Sequence, residues 1–251
     1  MTQIYAHRGS KGNYPENSML AFKKAIEAGV DGMEFDIHMT KDGELVVIHD
    51  ATLDRTTTGS GYIKDYTLAE IKQLSIGAKF TEFKQYDASW DDERVPTLAE
   101  VLQLCKAHEL EVNIELKTYE VAYPGIETAM LKVVHEMGYD PEKVVYSTFH
   151  LPTILRVKKL EPTAKIAWLL EHFIPMPTDY IKTLGLDALH LDKKVVFAHP
   201  DYWQPLANQL RIWTVNEEKE MKKLIEMGVA AIITDYPEIA VAIHKKIKTG
   251  A

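Results

Sequence analysis

The sequence predicts an α/β fold, a TIM-type (β/α)8 barrel that carries a small inserted subdomain. Three observations lead there. Short apolar, β-rich runs alternate with amphipathic stretches along most of the 251 residues, the pattern of a parallel sheet with helices outside it. The number of such units suits a closed eight-stranded barrel better than an open sheet. One stretch, residues 51–95, breaks the rhythm and is too long for an ordinary connection. The length fits a single catalytic barrel over 1–251, with 51–95 inserted in it and folded over one end.

The strand-like runs are residues 4–7, 32–37, 45–49, 112–116, 144–147, 165–169, 188–191, 211–215 and 230–234. Helix signals lie between most of them. Asn17 reads as the cap of a stretch containing Leu20, Phe22, Ala25 and Ile26, which Gly29 ends. Thr67 with Glu70, and Thr97 with Glu100, have capping-box spacing. Residues 217–227 and 237–247 read as the last two helices. These runs are one more than a barrel needs. The surplus is either 45–49, joined to its predecessor by the turn signal Lys41-Asp42-Gly43 with no helix between, or 188–191. Within the insertion, Tyr62, Leu68, Ile71 and Leu74 are the expected packing residues.

Hydrophobic residues make up 46% and charged residues 26%, which excludes a disordered or fibrous chain. The formal net charge is -8 with no dense Lys/Arg run, so no nucleic-acid partner is expected. Lys245, Lys246 and Lys248 read as the polar side of the last helix. An anionic substrate would be attracted by a local site, not by the global field. The single cysteine, Cys105, lies among Val101, Leu102 and Leu104 and reads as core packing; one cysteine fits a reducing compartment. The first residues lack a basic segment followed by an apolar one, and no apolar run approaches the ~18 residues of a spanning helix. The expectation is a cytoplasmic protein with no stable membrane association. The oligomeric state is left open.

The chemistry lies in two strands that invert the usual pattern. In 32–37, Met33, Phe35 and Ile37 share one face while Glu34 and Asp36 share the other. In 112–117, Val112, Ile114 and Leu116 oppose Asn113, Glu115 and Lys117. With the apolar faces against outer helices, the carboxylates point into the barrel; the alternative is a pair of edge or surface strands with their polar faces outward. There they are costly unless paired or metal-bound. Three oxygen donors suit one hard divalent cation, Mg²⁺ or Ca²⁺. His7 and His49 each end a strand-like run, where a β/α barrel builds its active site, and imidazole suits proton transfer near neutral pH. The remaining histidines, His38, His108, His135, His150, His172, His190, His199 and His244, read as surface or core.

The motifs His7-Arg8-Gly9, Pro15-Glu16-Asn17, Glu34-Phe35-Asp36, His49-Asp50 and Leu53-Asp54-Arg55-Thr56-Thr57 occur in that order. They are followed by Pro96-Thr97-Leu98, Ile114-Glu115-Leu116-Lys117, Trp213-Thr214-Val215-Asn216 and Thr234-Asp235-Tyr236-Pro237. As an ordered set over nearly the whole chain, they resemble the glycerophosphodiester phosphodiesterases of the small cytoplasmic bacterial type. The resemblance implies a β/α barrel with a small insertion after the third strand. It implies a metal held by Glu34, Asp36 and Glu115, and His7 and His49 as the acid/base pair. Arg8 and Lys117 would contact the phosphate, and Trp213 would line a glycerol pocket. The reaction implied is metal-dependent hydrolysis of a small-molecule glycerophosphodiester to sn-glycerol 3-phosphate and an alcohol. Two rival readings remain: a phospholipase-D-like or phosphoinositide-cleaving enzyme on the same barrel, and a non-catalytic binding module. The first would want an apolar or basic membrane-facing rim. The second would have lost a histidine or a carboxylate, and all are present.

Overall fold

The computed structural model describes residues 1–249. In chain order the first elements are β1 (Gln3–His7), α1 (Met19–Ala28), β2 (Gly32–Met39) and β3 (Leu45–Val47), then the short α2 (Leu68–Ile71). After the insertion come α3 (Leu98–Ala107), β4 (Glu111–Leu116), α4 (Ile126–Glu136), β5 (Val144–Thr148), α5 (Leu151–Leu160), β6 (Lys165–Leu170) and α6 (Pro177–Leu184). The chain ends with β7 (Ala188–Asp192), α7 (Lys193–Ala198), α8 (Pro200–Trp203), β8 (Leu210–Trp213), α9 (Glu218–Met227), β9 (Ala231–Thr234) and α10 (Pro237–Thr249).

Eight parallel strands close a barrel in the order β1-β2-β4-β5-β6-β7-β8-β9, with β9 pairing back onto β1. The surplus run is 45–49. The Lys41-Asp42-Gly43 turn sends β3 back antiparallel along the end of β2, with Val47 opposite Ile37, whereas β7 is a full barrel member paired on both sides. The inserted segment therefore follows a hairpin arm and not a third barrel strand.

The outward faces of the strands meet the helices in the main core, which includes Phe22, Phe35, Ile114 and Leu102. Cys105 is fully buried there, and burial pushes its thiol up to about 12. Both capping boxes form, at Thr67–Glu70 and Thr97–Glu100. The expected cap of α1 does not: Ser18 takes that role, its Oγ accepting from Ala21 N–H at 3.0 Å. Asn17 instead adopts a left-handed φ of 56° and turns its amide inward. Residues 51–95 have a smaller core of their own, Leu53, Ile63, Ile71 and Ile76, closed against Val46 and Ile48. Tyr62 stays half exposed, and Ile63 fills the place expected of it. No helix among the described residues is long and apolar enough to cross a membrane.

Candidate active site

Strand register sets the centre of the site. Parallel pairing puts Glu34 beside Asn113 and Asp36 beside Glu115. Because side chains alternate along a strand, all four enter the barrel while Phe35 and Ile114 leave it. One oxygen from each of Glu34, Asp36 and Glu115 lies within 4.8 Å of the others, and all three residues are buried. Burial, then the neighbouring Asp36, pushes the Glu34 carboxyl well up; burial also raises Glu115. For Asp36 the effect of burial is outweighed by Arg8, His49 and Lys117, which hold it far below the usual carboxylate range. Asp36 Oδ1 has no hydrogen-bond partner among the described residues. A buried, under-satisfied set of three carboxylates fits a hard divalent cation.

Two cations border the triad. Arg8 sits in a left-handed backbone conformation (φ 54°) followed by Gly9 at 82°. For a non-glycine residue that conformation is disfavoured. It is held because Arg8 N–H donates to the Glu34 carbonyl at 2.9 Å and Asn17 N–H donates to the Arg8 carbonyl at 3.0 Å. The turn aims the guanidinium at Asp36 (3.2 Å) and Glu16 (3.0 Å), and Asn17 Nδ2 donates to Asp36 Oδ2 at 3.0 Å. Lys117 Nζ lies 2.9 Å from Glu115, 3.7 Å from Asp36 and 3.0 Å from His49 Nε2. Burial opposes its charge, but Glu115 and Asp36 together keep the ammonium firmly protonated.

Each histidine gives Nδ1 to an aspartate. His7 Nδ1 donates to Asp235 Oδ1 at 2.6 Å, and its Nε2 lies 3.9 Å from Glu34. Burial, then Arg8, lowers the His7 imidazole to about 4 despite Asp235. Asp235 in turn accepts from Asn216 Nδ2 at 2.8 Å. His49 Nδ1 donates to Asp50 Oδ1 at 2.7 Å, and Arg55 grips that carboxylate from the other side (2.7 and 2.9 Å). His49 does not sit at the end of a barrel strand, as its sequence position suggests. The hairpin arm brings it back to the level of β2, where Ile48 N–H donates to the Asp36 carbonyl at 3.1 Å. His38 supports it from below: its Nε2 contacts the His49 carbonyl at 2.9 Å and its Nδ1 contacts Tyr123 Oη at 2.8 Å.

These groups open into a cavity of about 190 Å³ at the C-terminal mouth of the barrel, lined by His7, Arg8, Glu34, His49, Glu115, Lys117 and Trp213 among others. One wall is apolar: Phe149 lies edge-on to Trp213 at 5.6 Å and to Tyr119 at 5.8 Å. No residue of 51–95 is among the lining residues. The site thus gathers all eight residues singled out from sequence except Asp36, which lies directly beneath it. The roles of Asp50 and Asp235 were missed, although both stand inside the motifs. The His49-Asp50 adjacency was a usable signal; Asp235 is 228 positions from His7, and nothing local marks the pair. His190 is fully buried in the barrel interior, without a partner among the described residues and outside the cavity lining.

Comparison with known proteins gives one answer. Residues 7–239 match the model of the Glycerophosphoryl diester phosphodiesterase family. A glycerophosphodiester phosphodiesterase of Caldanaerobacter subterraneus subsp. tengcongensis is 40% identical over 255 residues, covering 98% of both chains. One from Bacillus altitudinis is 38% identical over 257 residues, covering 99% of this chain and all (100%) of the relative. Among solved structures, an Oleispira antarctica phosphodiesterase in complex with the product sn-glycerol-3-phosphate superposes with a TM-score of 0.83 at 26% identity, covering 98% of this chain and 97% of that one. A glycerophosphodiester phosphodiesterase from Parabacteroides distasonis gives 0.78 at 28%, covering 98% of each.

Proposed function

This chain belongs to the glycerophosphoryl diester phosphodiesterase family and is an enzyme of that activity, and on that premise we propose how it acts: one divalent cation, Mg²⁺ or Ca²⁺, at Glu34, Asp36 and Glu115, with His7 and His49 as the acid–base pair. The products would be an alcohol and sn-glycerol 3-phosphate, the latter being the product bound in the Oleispira relative. The observation that carries the reading is a single cavity that places two aspartate-backed imidazoles around three convergent carboxylates.

The cation, when bound, would supply Lewis acidity and a template for the phosphate and the glycerol hydroxyls. The rest is the work of this chain. Asp235 and Asp50 fix the tautomer of each histidine, so that Nε2 is the nitrogen each presents to the substrate. One Nε2 takes the proton from the attacking oxygen, which is water, or the glycerol 2-hydroxyl, in which case a water then opens the resulting cyclic phosphate. The other, entering the step as imidazolium with Nε2 also protonated, gives that proton to the departing alkoxide as the phosphorus–oxygen bond breaks. Arg8 and Lys117 are fixed cations where negative charge accumulates on the phosphoryl oxygens. Trp213 and Phe149 offer a flat apolar wall to the carbon face of the glycerol. The acidic net charge and the lone buried Cys105 support a cytoplasmic enzyme acting on a soluble small molecule, with no nucleic-acid partner.

The test is a release assay coupled to detection of glycerol 3-phosphate, run across several head groups, before and after exhaustive chelation. Activity should vanish with chelation and return with Mg²⁺ or Ca²⁺; full activity in chelator would sink the metal assignment. A lysophospholipid arm addresses the membrane-substrate alternative and should give the weaker rate.

A further inference from the structure

We infer that Arg55, carried by the inserted segment, is a positioning residue that sets the tautomer and orientation of His49 by clamping Asp50. This rests on the acid–base reading of His49.

Asp50 follows His49 directly in the chain, and both side chains are about a quarter exposed, at 26% and 25%. A short carboxylate with that much solvent access would ordinarily sample several rotamers and exchange its histidine for water. Here both of its oxygens are held. Arg55 Nε donates to Oδ2 at 2.7 Å and Nη2 donates to Oδ1 at 2.9 Å, a planar two-point grip that lysine could not reproduce. Arg55 is itself half exposed, so it too needs an anchor. Glu16 provides it. That carboxylate is buried and accepts from Nη1 and Nη2 of Arg55, both at 2.8 Å. Glu16 is tied in turn to Arg8 at 3.0 Å. The order along the chain of contacts is buried Glu16, half-exposed Arg55, partly buried Asp50, His49.

The geometry at the far end is what a fixed tautomer requires. With Nδ1–H committed to Asp50, Nε2 carries the lone pair, and it accepts from Lys117 Nζ at 3.0 Å. Without Arg55, Asp50 keeps its charge but loses its direction, and the imidazole can present either nitrogen to the cavity. The bland alternative is that Arg55 only ties residues 51–95 to the barrel. That role would move the melting temperature and leave the His49 ring unchanged.

The experiment compares kcat and KM on sn-glycero-3-phosphocholine, at saturating Mg²⁺ or Ca²⁺, for the native enzyme, Arg55→Met, Asp50→Asn, the double variant and His49→Ala. It adds ¹⁵N NMR of the His49 ring. Arg55→Met should lower kcat about tenfold, no more than Asp50→Asn, with KM within about twofold. It should shift the His49 nitrogens from one tautomer toward a mixture, and recover part of its rate with added guanidinium. Adding Arg55→Met to Asp50→Asn should cost little more, since both act through one carboxylate. Arg55→Met retaining more than half the native kcat while His49→Ala is inactive overturns the inference. Additive losses with native His49 resonances overturn it too. If Arg55→Met fails to fold, Arg55→Lys carries the same readouts and is judged by the same outcomes. Near-native activity in His49→Ala would instead remove the acid–base reading, and the inference with it.

Discussion

His7 and His49 face one cavity, but the supports behind their aspartates come from different parts of the chain. The His7 support is built into the barrel. Asp235 follows β9, which pairs with β1, and its partner Asn216 follows β8. Asn216 also accepts from Asp235 N–H and the Thr234 hydroxyl through Oδ1 (3.0 and 3.2 Å). Closing the barrel therefore assembles that limb with no further requirement. The His49 support lies outside the eight-strand frame. It needs the hairpin arm, the inserted segment that carries Arg55, and Glu16 from the loop after β1. The barrel limb inherits the rigidity of the sheet, whereas the other limb can be altered by changing a surface segment without touching a barrel strand.

The comparison breaks most directly if one histidine proves dispensable. His7→Ala and His49→Ala should each lower kcat about 10²–10⁴-fold with unchanged circular dichroism, and a near-native rate in either removes that limb from the mechanism. Lys117 touches both the triad and the His49 limb. Lys117→Met should lower kcat about 10²–10³-fold with metal affinity nearly unchanged, as read by calorimetric titration. Unchanged kcat with shifted metal affinity would instead make Lys117 a neutralising partner of Glu115 and Asp36.

The two aspartates sharpen the contrast. Asp235→Asn should cost about 10²-fold in kcat and Asp50→Asn about tenfold, because Asp50 is the more exposed and water can replace part of what it does. Equal losses would show that the limbs are equivalent, and reversed losses that Asp50 is the stronger support. The smallest effect concerns pH. Burial raises the Glu16 carboxyl, but Arg55 and then Arg8 outweigh it and hold it at about 2 against an ordinary 4.5. A depressed folded value means the group stabilises the fold fully above about 4.5 and loses that contribution as pH falls through about 2. In denaturant melts, the stability gap between the native enzyme and Glu16→Gln should therefore be constant above pH 4.5 and shrink below it. A gap that widens on acidification would contradict the ion-pair role.

Much of the site was legible in the sequence because alternation in a strand is a local property. Glu34 and Asp36 stand opposite Phe35 in any straight strand, so their direction follows once one face is known to be apolar. His49 was found for an incorrect reason: it reads as the end of a barrel strand, yet it reaches the mouth on an arm running the other way. The helix cap at Asn17 was misplaced by one residue, because Ser18 is equally able to cap and Asn17 is recruited by Asp36, a group 19 positions away.

The sequence by itself determined the barrel and the inward direction of Glu34, Asp36 and Glu115, since each depends on residue type and short-range spacing. Tertiary structure alone decided which run was surplus, that Asp235 serves His7, and that Glu16, Arg55 and Asp50 form one chain of contacts. Those pairings depend on strand register, on closure of β9 against β1, and on how a surface segment docks. Each is set by the packing of the whole molecule, and none leaves a periodic mark on the residues that take part.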